Sequence, residues 1–320
     1  MIAVLAGGVG AARYLAGLVQ VVEPGDVTAV VNTGDDTTLH GLRICPDLDT
    51  VTYTLAGASN TELGWGLQGE TWQAMDALAR FGAVAPPGSK AGATWFRLGD
   101  RDLATHLYRT GRLAEGAPLS AVAGELASAW GLGLRLLPMT DEAVATMVTV
   151  EGEGEIGFQD YFVGRQHSVP VSAVRFDGIE RSRPGPGVLE ALATSERVVV
   201  APSNPVVSIG PVVAVPGVAD VLRERRDDVV AVSPIVAGAA LKGPADRMLV
   251  ELGHEATVVG VARLYAPLVG TLVVDVADAA LSADVEAAGV RCVVAPTVMR
   301  GPAEAAALAR TTLAPLGQRS

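Results

Sequence analysis

Four aspartates within fifteen residues mark where this chain is best equipped for chemistry: Asp35 and Asp36 in VVNTGDD, then Asp47 and Asp49 in CPDLDT. Carboxylates at this density suit a hard cation. Magnesium in particular is held by one or two carboxylates together with substrate phosphates and water. The group follows an apolar run at residues 27–31, read as a buried strand. Asp35 and Asp36 would then project from its C-terminal end into the crevice where open α/β sheets bind ligands. Upstream stands a glycine-rich turn, GGVGAAR, between a strand at residues 2–6 and a helix at residues 11–22. Gly7, Gly8 and Gly10 permit tight curvature, and the N–H groups of a helix start attract an anion. Any single aspartate also reads as a turn or cap residue: Asp35 in an Asx turn, Asp47 or Asp49 before a helix at residues 49–55. The four together favour a cation beside a phosphate cradle.

The turn is not a dinucleotide fingerprint. Arg13 stands at the third glycine position and no Walker lysine follows, so it points to a generic nucleotide or phosphate. Three further segments offer ligand-binding groups. LGDRDLATHLYRT, residues 98–110, reads either as a capped helix with an i,i+4 charge pattern or as a ligand face using Arg97 or Arg101 with His106 nearby. APSNPVVSIGPV, residues 201–212, sets Ser203, Asn204 and Ser208 on a proline-stiffened loop, suited to a base, a ribose or a phosphate, or else to a plain turn. Lys242, in SPIVAGAALKGPADRM, is a further cation for phosphate, ranked below the aspartates. The four histidines are scattered, and GxSxG, HExxH and CxxC are all missing, which counts against hydrolase triads and zinc catalysis. Of the two cysteines, Cys45 and Cys292, the first lies inside the aspartate segment and reads as a small buried hydrophobe.

The elements that must carry these residues alternate. Apolar strands at residues 2–6, 27–31, 197–201, 229–232, 271–274 and 291–294 are separated by helical patterns, as at residues 71–81, 103–110 and 119–130. That alternation predicts an α/β domain with a mostly parallel sheet and helices on both faces. The periodicity turns towards strict alternation at residues 146–176, so about residues 140–180 are read as a β-rich insertion within one domain spanning residues 1–320. Residues 86–92, PPGSKAG, are the clearest loop. A net charge of −11 argues against nucleic acid as a partner. No apolar run reaches the roughly eighteen residues a membrane span needs, and Met1 opens directly into a strand, so a cytoplasmic protein with no membrane partner is expected.

Taken in order, GGVGAAR, VVNTGDD, ICPDLDTVTYTL, LGDRDLATH, LLPMTDEAVAT, FQDYFV, APSNPVVSIGP and SPIVAG make the chain resemble the 2-phospho-L-lactate transferase family, which includes phosphoenolpyruvate transferases of coenzyme F-420 biosynthesis. The resemblance runs from residue 2 to about residue 240. It implies a Rossmann-like, homodimeric, magnesium-dependent enzyme. The implied reaction moves a phosphoenolpyruvyl or 2-phospho-L-lactyl group from a guanosine diphosphate adduct to the ribityl hydroxyl of the deazaflavin 7,8-didemethyl-8-hydroxy-5-deazariboflavin (Fo), releasing GMP. By motif, Asp49 and Arg97 are expected at the deazaflavin. Asp35 and Asp47, with Asp36 in support, are expected on the metal side. Asp35, Asp47 and Asp49 are the expected catalytic carboxylates. Gly7, Gly8, Gly10, Arg13, Ser203 and Asn204 are expected around the guanosine nucleotide. Replacing Asp47 or Asp49 with Asn is expected to spare the fold. Relatives of this pattern place Lys where Arg97 stands, or no basic residue, so Arg97 is the less constrained of the two acceptor contacts. The resemblance leaves the donor group open. A non-catalytic nucleotide-sugar-binding regulatory protein of the same superfamily is the alternative. An NAD-dependent oxidoreductase is disfavoured by Arg13 and by the lack of a single ribose-binding acid after the second strand.

Overall fold

The computed structural model describes residues 1–314 other than Leu63, Gly88 and Lys90. Two members of the loop expected at residues 86–92, Gly88 and Lys90, therefore lie outside the described residues. Seven strands form the central sheet in the order Arg291–Val294, Thr271–Val274, Val229–Val232, Arg197–Val200, Ile2–Ala6, Val27–Val31 and Arg135–Pro138. All six neighbouring pairs are parallel. Counted along the chain this is 7-6-5-4-1-2-3, the doubly wound order, and its direction reverses between Ile2–Ala6 and Arg197–Val200. The outermost strand, Arg135–Pro138, is one that the apolar pattern does not disclose, because it is four residues long and begins and ends on Arg and Pro.

Why the sheet is buried on both faces follows from its side chains. Ala3, Leu5, Val198, Val200, Val229, Ala231, Leu272 and Val274 enter one core cluster. Their neighbours Val4, Ala6, Val199, Val230, Val232 and Val273 enter a second. Successive strand residues point to opposite faces, so near-continuous apolar runs are what a two-sided parallel sheet requires. Each fully buried valine or leucine contributes on the order of 1.5–3 kcal/mol. The second cluster is closed by the helices Gly8–Leu18, Pro46–Leu55 and Pro302–Leu313. Tyr14 and Thr312 tie two of these together through a buried 2.6 Å hydrogen bond.

Departures from the sheet are few. Thr37–Leu39 and Leu42–Ile44 form a small antiparallel hairpin directly after the first aspartate pair. Between the sheet strands Arg135–Pro138 and Arg197–Val200 lies a three-stranded antiparallel sheet, Ala145–Val150 flanked by Gly154–Gly157 and Val171–Asp177. No single helix among the described residues is long and apolar enough to cross a membrane.

One packing constraint is sharp. A Cβ on Gly17 would stand 2.3 Å from the backbone carbon of Ala305, so helices Gly8–Leu18 and Pro302–Leu313 touch through their main chains. Gly17→Ala is expected to force them apart at a cost of about 1–3 kcal/mol. Urea unfolding should show a lower midpoint with an unchanged slope, and an unaltered midpoint would contradict the contact.

Candidate active site at the sheet switch point

The site grows out of two strand ends. Ile2–Ala6 runs straight into Gly7 and the helix Gly8–Leu18, while Arg197–Val200 runs into the loop carrying Ser203 and Asn204. These two turns approach too closely for side chains. A Cβ on Gly10 would meet the Pro202 carbonyl oxygen at 2.1 Å, and one on Gly7 would meet Ser208 Cβ at 2.8 Å. Gly8 has φ +70°, in the left-handed region that glycine adopts without strain. The helix that follows has no side-chain bond from its N-cap residue and no acid in its own first turn, so the acid that meets its start comes from elsewhere in the chain. The helix starts at Gly8, three residues earlier than the sequence pattern predicts, so Gly8 and Gly10 belong to the helix as well as to the turn.

Asp47 and Asp49 lie in the first turn of Pro46–Leu55, which Pro46 opens at a position needing no N–H. Negative charge is favoured there by the helix dipole. Residues two apart on a helix point some 200° from one another, so the two carboxylates part company. Asp47 turns to the glycine loop: it accepts from Asn32 Nδ2 at 2.9 Å and from the backbone N–H of Gly8. Asp49 turns to the helix Asp102–Ala114, where the fully buried Arg109 grips both of its oxygens, one at 3.1 Å. His106 lies within 3.8 Å of Asp49 and 3.2 Å of Asp102. Tyr53 donates to Asp102 at 2.6 Å. Burial raises the Asp102 carboxyl, yet His106, Tyr53 and Arg109 together hold it below the usual range.

Asp35 and Asp36 occupy the turn after Val27–Val31. Asn32 shapes it, accepting from Gly34 N at 2.8 Å while its amide nitrogen serves Asp47. Asp35 is buried, and its Oδ1 has no hydrogen-bond partner. Burial first, then the charges of Asp47 and Asp36, push its carboxyl well above the ordinary value, against the opposing influence of Thr146 and Asn32. The insertion reaches this turn too, since Gln159 Nε2 donates to the Asp35 carbonyl at 3.2 Å. Asp36 accepts from Arg43 at 3.1 Å and from the Cys45 thiol at 3.0 Å. Burial nevertheless pushes Asp36 up to about 7. It pushes Asp47 to about 6, against Asn32 and the Gly8 N–H.

The four expected aspartates are therefore gathered, with their partners redistributed. Asp36 is engaged by Arg43 and Cys45, and among the described residues no group of three or more His, Cys, Asp or Glu side chains is disposed to hold a metal. Asp35 and Asp47, by contrast, form no ion pair among the described residues. Ser203 donates to the Gly7 carbonyl at 2.8 Å, and Asn204 caps the turn Pro205–Ile209 by accepting from Val206 N at 2.9 Å, so both are spent on shaping the loop. Arg13 and Lys242 are neighbours whose like charge, after burial, lowers the lysine's proton affinity. Arg97 contacts Asp76 at 3.2 Å and the Trp72 ring rather than the aspartates. Asn32, Arg43, Tyr53, Arg109 and Gln159 are the site residues that sequence reasoning missed. Arg109 shares its buried helix face with Asp102, Thr105 and His106, but the partner that fixes it lies sixty residues away.

Fold and site together define a doubly wound, Rossmann-like α/β protein with an acid-rich, anion-ready crevice at its switch point. The 2-phospho-L-lactate transferase CofD family model matches residues 2–296, and the chain belongs to that family of transferases. It is 48% identical over 316 residues to a phosphoenolpyruvate transferase of Streptomyces griseus, covering 98% of this chain and 97% of the relative. It is 46% identical to that of Streptomyces coelicolor over 98% and 97%. A solved UPF0052-family structure from Bacillus halodurans shares the fold, with a TM-score of 0.61 at 14% identity over 98% of each chain.

The raised carboxyls link stability to pH. Asp35, Asp36 and Asp47 bind protons more tightly folded than unfolded, so their stabilising contribution is fully present in acid and is lost as pH rises, through about 6 for Asp47 and about 7 for Asp36. Chelator-treated protein should melt at a lower temperature at pH 8 than at pH 5.5, and Asp35→Asn should shrink that difference. An equal or larger difference in the variant would contradict the assignment.

Proposed function

We propose that this transferase moves a phosphoenolpyruvyl group from a guanosine diphosphate adduct to the ribityl hydroxyl of Fo, releasing GMP, as a step of coenzyme F-420 biosynthesis. The observation that carries the reading is the buried Asp35–Asp47 pair beside the open start of helix Gly8–Leu18, in a chain of this family. The phosphoenolpyruvyl group is favoured over phospholactyl because the similar curated relatives at 46–48% identity are phosphoenolpyruvate transferases.

The chemistry is displacement at phosphorus. The acceptor oxygen bonds to the phosphorus carrying the enolpyruvyl group, the P–O bond to GMP breaks, and GMP leaves with the bridging oxygen. The hydroxyl proton passes to a carboxylate or to water. Such a reaction needs positioning and charge neutralisation more than covalent catalysis. The Gly8 helix start, Arg13 and Lys242 are the groups suited to the diphosphate. Asp49, fixed on both oxygens by Arg109, keeps free lone pairs with which to orient the hydroxyl.

The residues present fit magnesium. An unpartnered buried oxygen on Asp35 and the like-charged Asp47 form the one- or two-carboxylate set that this ion takes alongside phosphates. Magnesium, when bound, would supply neutralisation of charge on the diphosphate and the leaving group.

Asp47→Asn and Asp35→Asn are expected to lower kcat by about a hundredfold or more. Both should also abolish the rise in melting temperature that magnesium gives the wild type at pH 8. Asp49→Asn is a poorer probe than the sequence suggests, because it strands the buried Arg109 and costs about 3–5 kcal/mol of stability. Mass spectrometry of reactions with Fo, magnesium and each guanosine adduct identifies the product. Failure to form one from either adduct would overturn the transfer reaction.

A further inference from the structure

Helix Asp102–Ala114 buries a polar stripe where an apolar one would pack more cheaply. Asp102, Thr105, His106 and Arg109 fall at i, i+3, i+4 and i+7, which is one face of a helix. That face meets Asp49 and Tyr53, themselves one turn apart on helix Pro46–Leu55. Arg109 and His106 are each 1% exposed, and Asp49 and Asp102 are each 7% exposed. Buried polar groups at this density must satisfy one another, and doing so fixes where each one sits.

The contacts form a chain that ends on Asp49. Glu70 accepts from the Asp102 backbone N–H at 2.9 Å, and Asp102 Oδ1 takes the Tyr53 hydroxyl at 2.6 Å. The other oxygen, Oδ2, faces His106 Nε2 at 3.2 Å, off the line of a straight hydrogen bond. Across the ring, Nδ1 lies 3.3 Å from Arg109 Nη1. A guanidinium only donates, so Nδ1 accepts, and the ring proton sits on Nε2, turned towards Asp102. Arg109 Nη1 is shared among that imidazole nitrogen, Asp49 Oδ2 at 3.1 Å and the Arg43 carbonyl at 3.3 Å, while Nη2 donates to Asp49 Oδ1. The guanidinium plane, and with it the plane of the Asp49 carboxylate, is thus braced from the Asp102 end.

We propose that His106 and Asp102 are positioning residues for the transfer: through Arg109 they fix which lone pairs of Asp49 meet the acceptor hydroxyl. This rests on the transferase reading above, in which Asp49 orients that hydroxyl. Neither residue need touch substrate. They set the angle of a carboxylate, and displacement at phosphorus is sensitive to that angle because the attacking oxygen must lie in line with the leaving group.

The test sets His106→Asn against His106→Gln. The Asn amide oxygen can stand where Nδ1 accepts from Arg109, whereas the Gln amide reaches the place of Nε2 and leaves that acceptor out. His106→Gln is expected to lower kcat about ten- to a hundredfold with KM for the guanosine adduct unchanged, and His106→Asn to keep most of the wild-type kcat. A role in packing alone predicts the reverse order, because Gln fills more of the imidazole's volume. Heteronuclear NMR of the ring nitrogens in the wild type should show His106 neutral, with its proton on Nε2. Asp102→Asn is expected to lower kcat and to let that proton redistribute between the two nitrogens. An imidazolium or an Nδ1 proton near neutral pH overturns the proposal alone, as does wild-type kcat in His106→Gln, the reverse order of the two variants, or unaltered kcat and tautomer in Asp102→Asn. A wild type that makes no product from either guanosine adduct sinks the transferase reading and this proposal with it.

Discussion

Four carboxylates are buried at one edge of a parallel sheet with too little positive charge to match them, and the site is arranged around that imbalance. Arg109 compensates Asp49 fully, and Arg43 compensates Asp36 in part. Asp35 and Asp47 have only dipoles: the Asn32 amide, the Thr146 hydroxyl and the N–H of Gly8. Dipoles of this kind soften the cost of burying charge but do not cancel it, which is why both carboxyls take up protons so readily. Buried charge without a counter-ion is unfavourable for folding, and a cation bound beside it would recover part of what the fold gave up. The same reasoning explains why Asp36 and Asp49, which do have arginines, sit at the flanks.

The fold supports this concentration of charge by bringing backbone, rather than side chains, into the centre. The strand order reverses between Ile2–Ala6 and Arg197–Val200, the position at which open α/β sheets bind ligands, and there the turns after the two strands meet main chain to main chain. Gly7 and Gly10 let those turns close on Ser208 and Pro202, and the Ser203 hydroxyl latches one to the other. A larger residue at Gly10 would have to displace a carbonyl oxygen, so the loops and the helix start they frame are rigidly coupled. The insertion adds a third anchor, with Thr146 N bonded to the Gly34 carbonyl at 2.6 Å and Gln159 to that of Asp35.

How much of this could be read from residues alone depends on the range of the interaction. The strands Ile2–Ala6 and Val27–Val31, the glycine turn and the placing of Asp35 at a strand end follow from local pattern, and the parallel sheet follows from the repetition of that pattern. The hairpin at Thr37–Leu39 and Leu42–Ile44 is too short for periodicity to register. Arg109 reads as a surface residue of an amphipathic helix until Asp49 is brought to it by tertiary packing. Ser203 and Asn204 stand out in the sequence by residue type, because small polar groups cluster where loops must turn sharply. Their hydroxyl and amide are directed inward for the same reason, a choice that composition does not reveal.

The partition of the aspartates is the consequence of one local fact, that Pro46 starts a helix. Were residues 45–49 extended, Asp47 and Asp49, two apart, would share a face and both would point at the crevice. Wound into a first helical turn, they diverge, and one helix start serves two neighbourhoods. Asp47 joins the glycine loop and Asp35. Asp49 joins Arg109, His106, Asp102 and Tyr53, a network that continues through Glu70 to the segment bearing Trp72. Placing the two carboxylates on opposite sides of a single helical turn gives one the glycine loop and the other a buried arginine, with a separation of two residues.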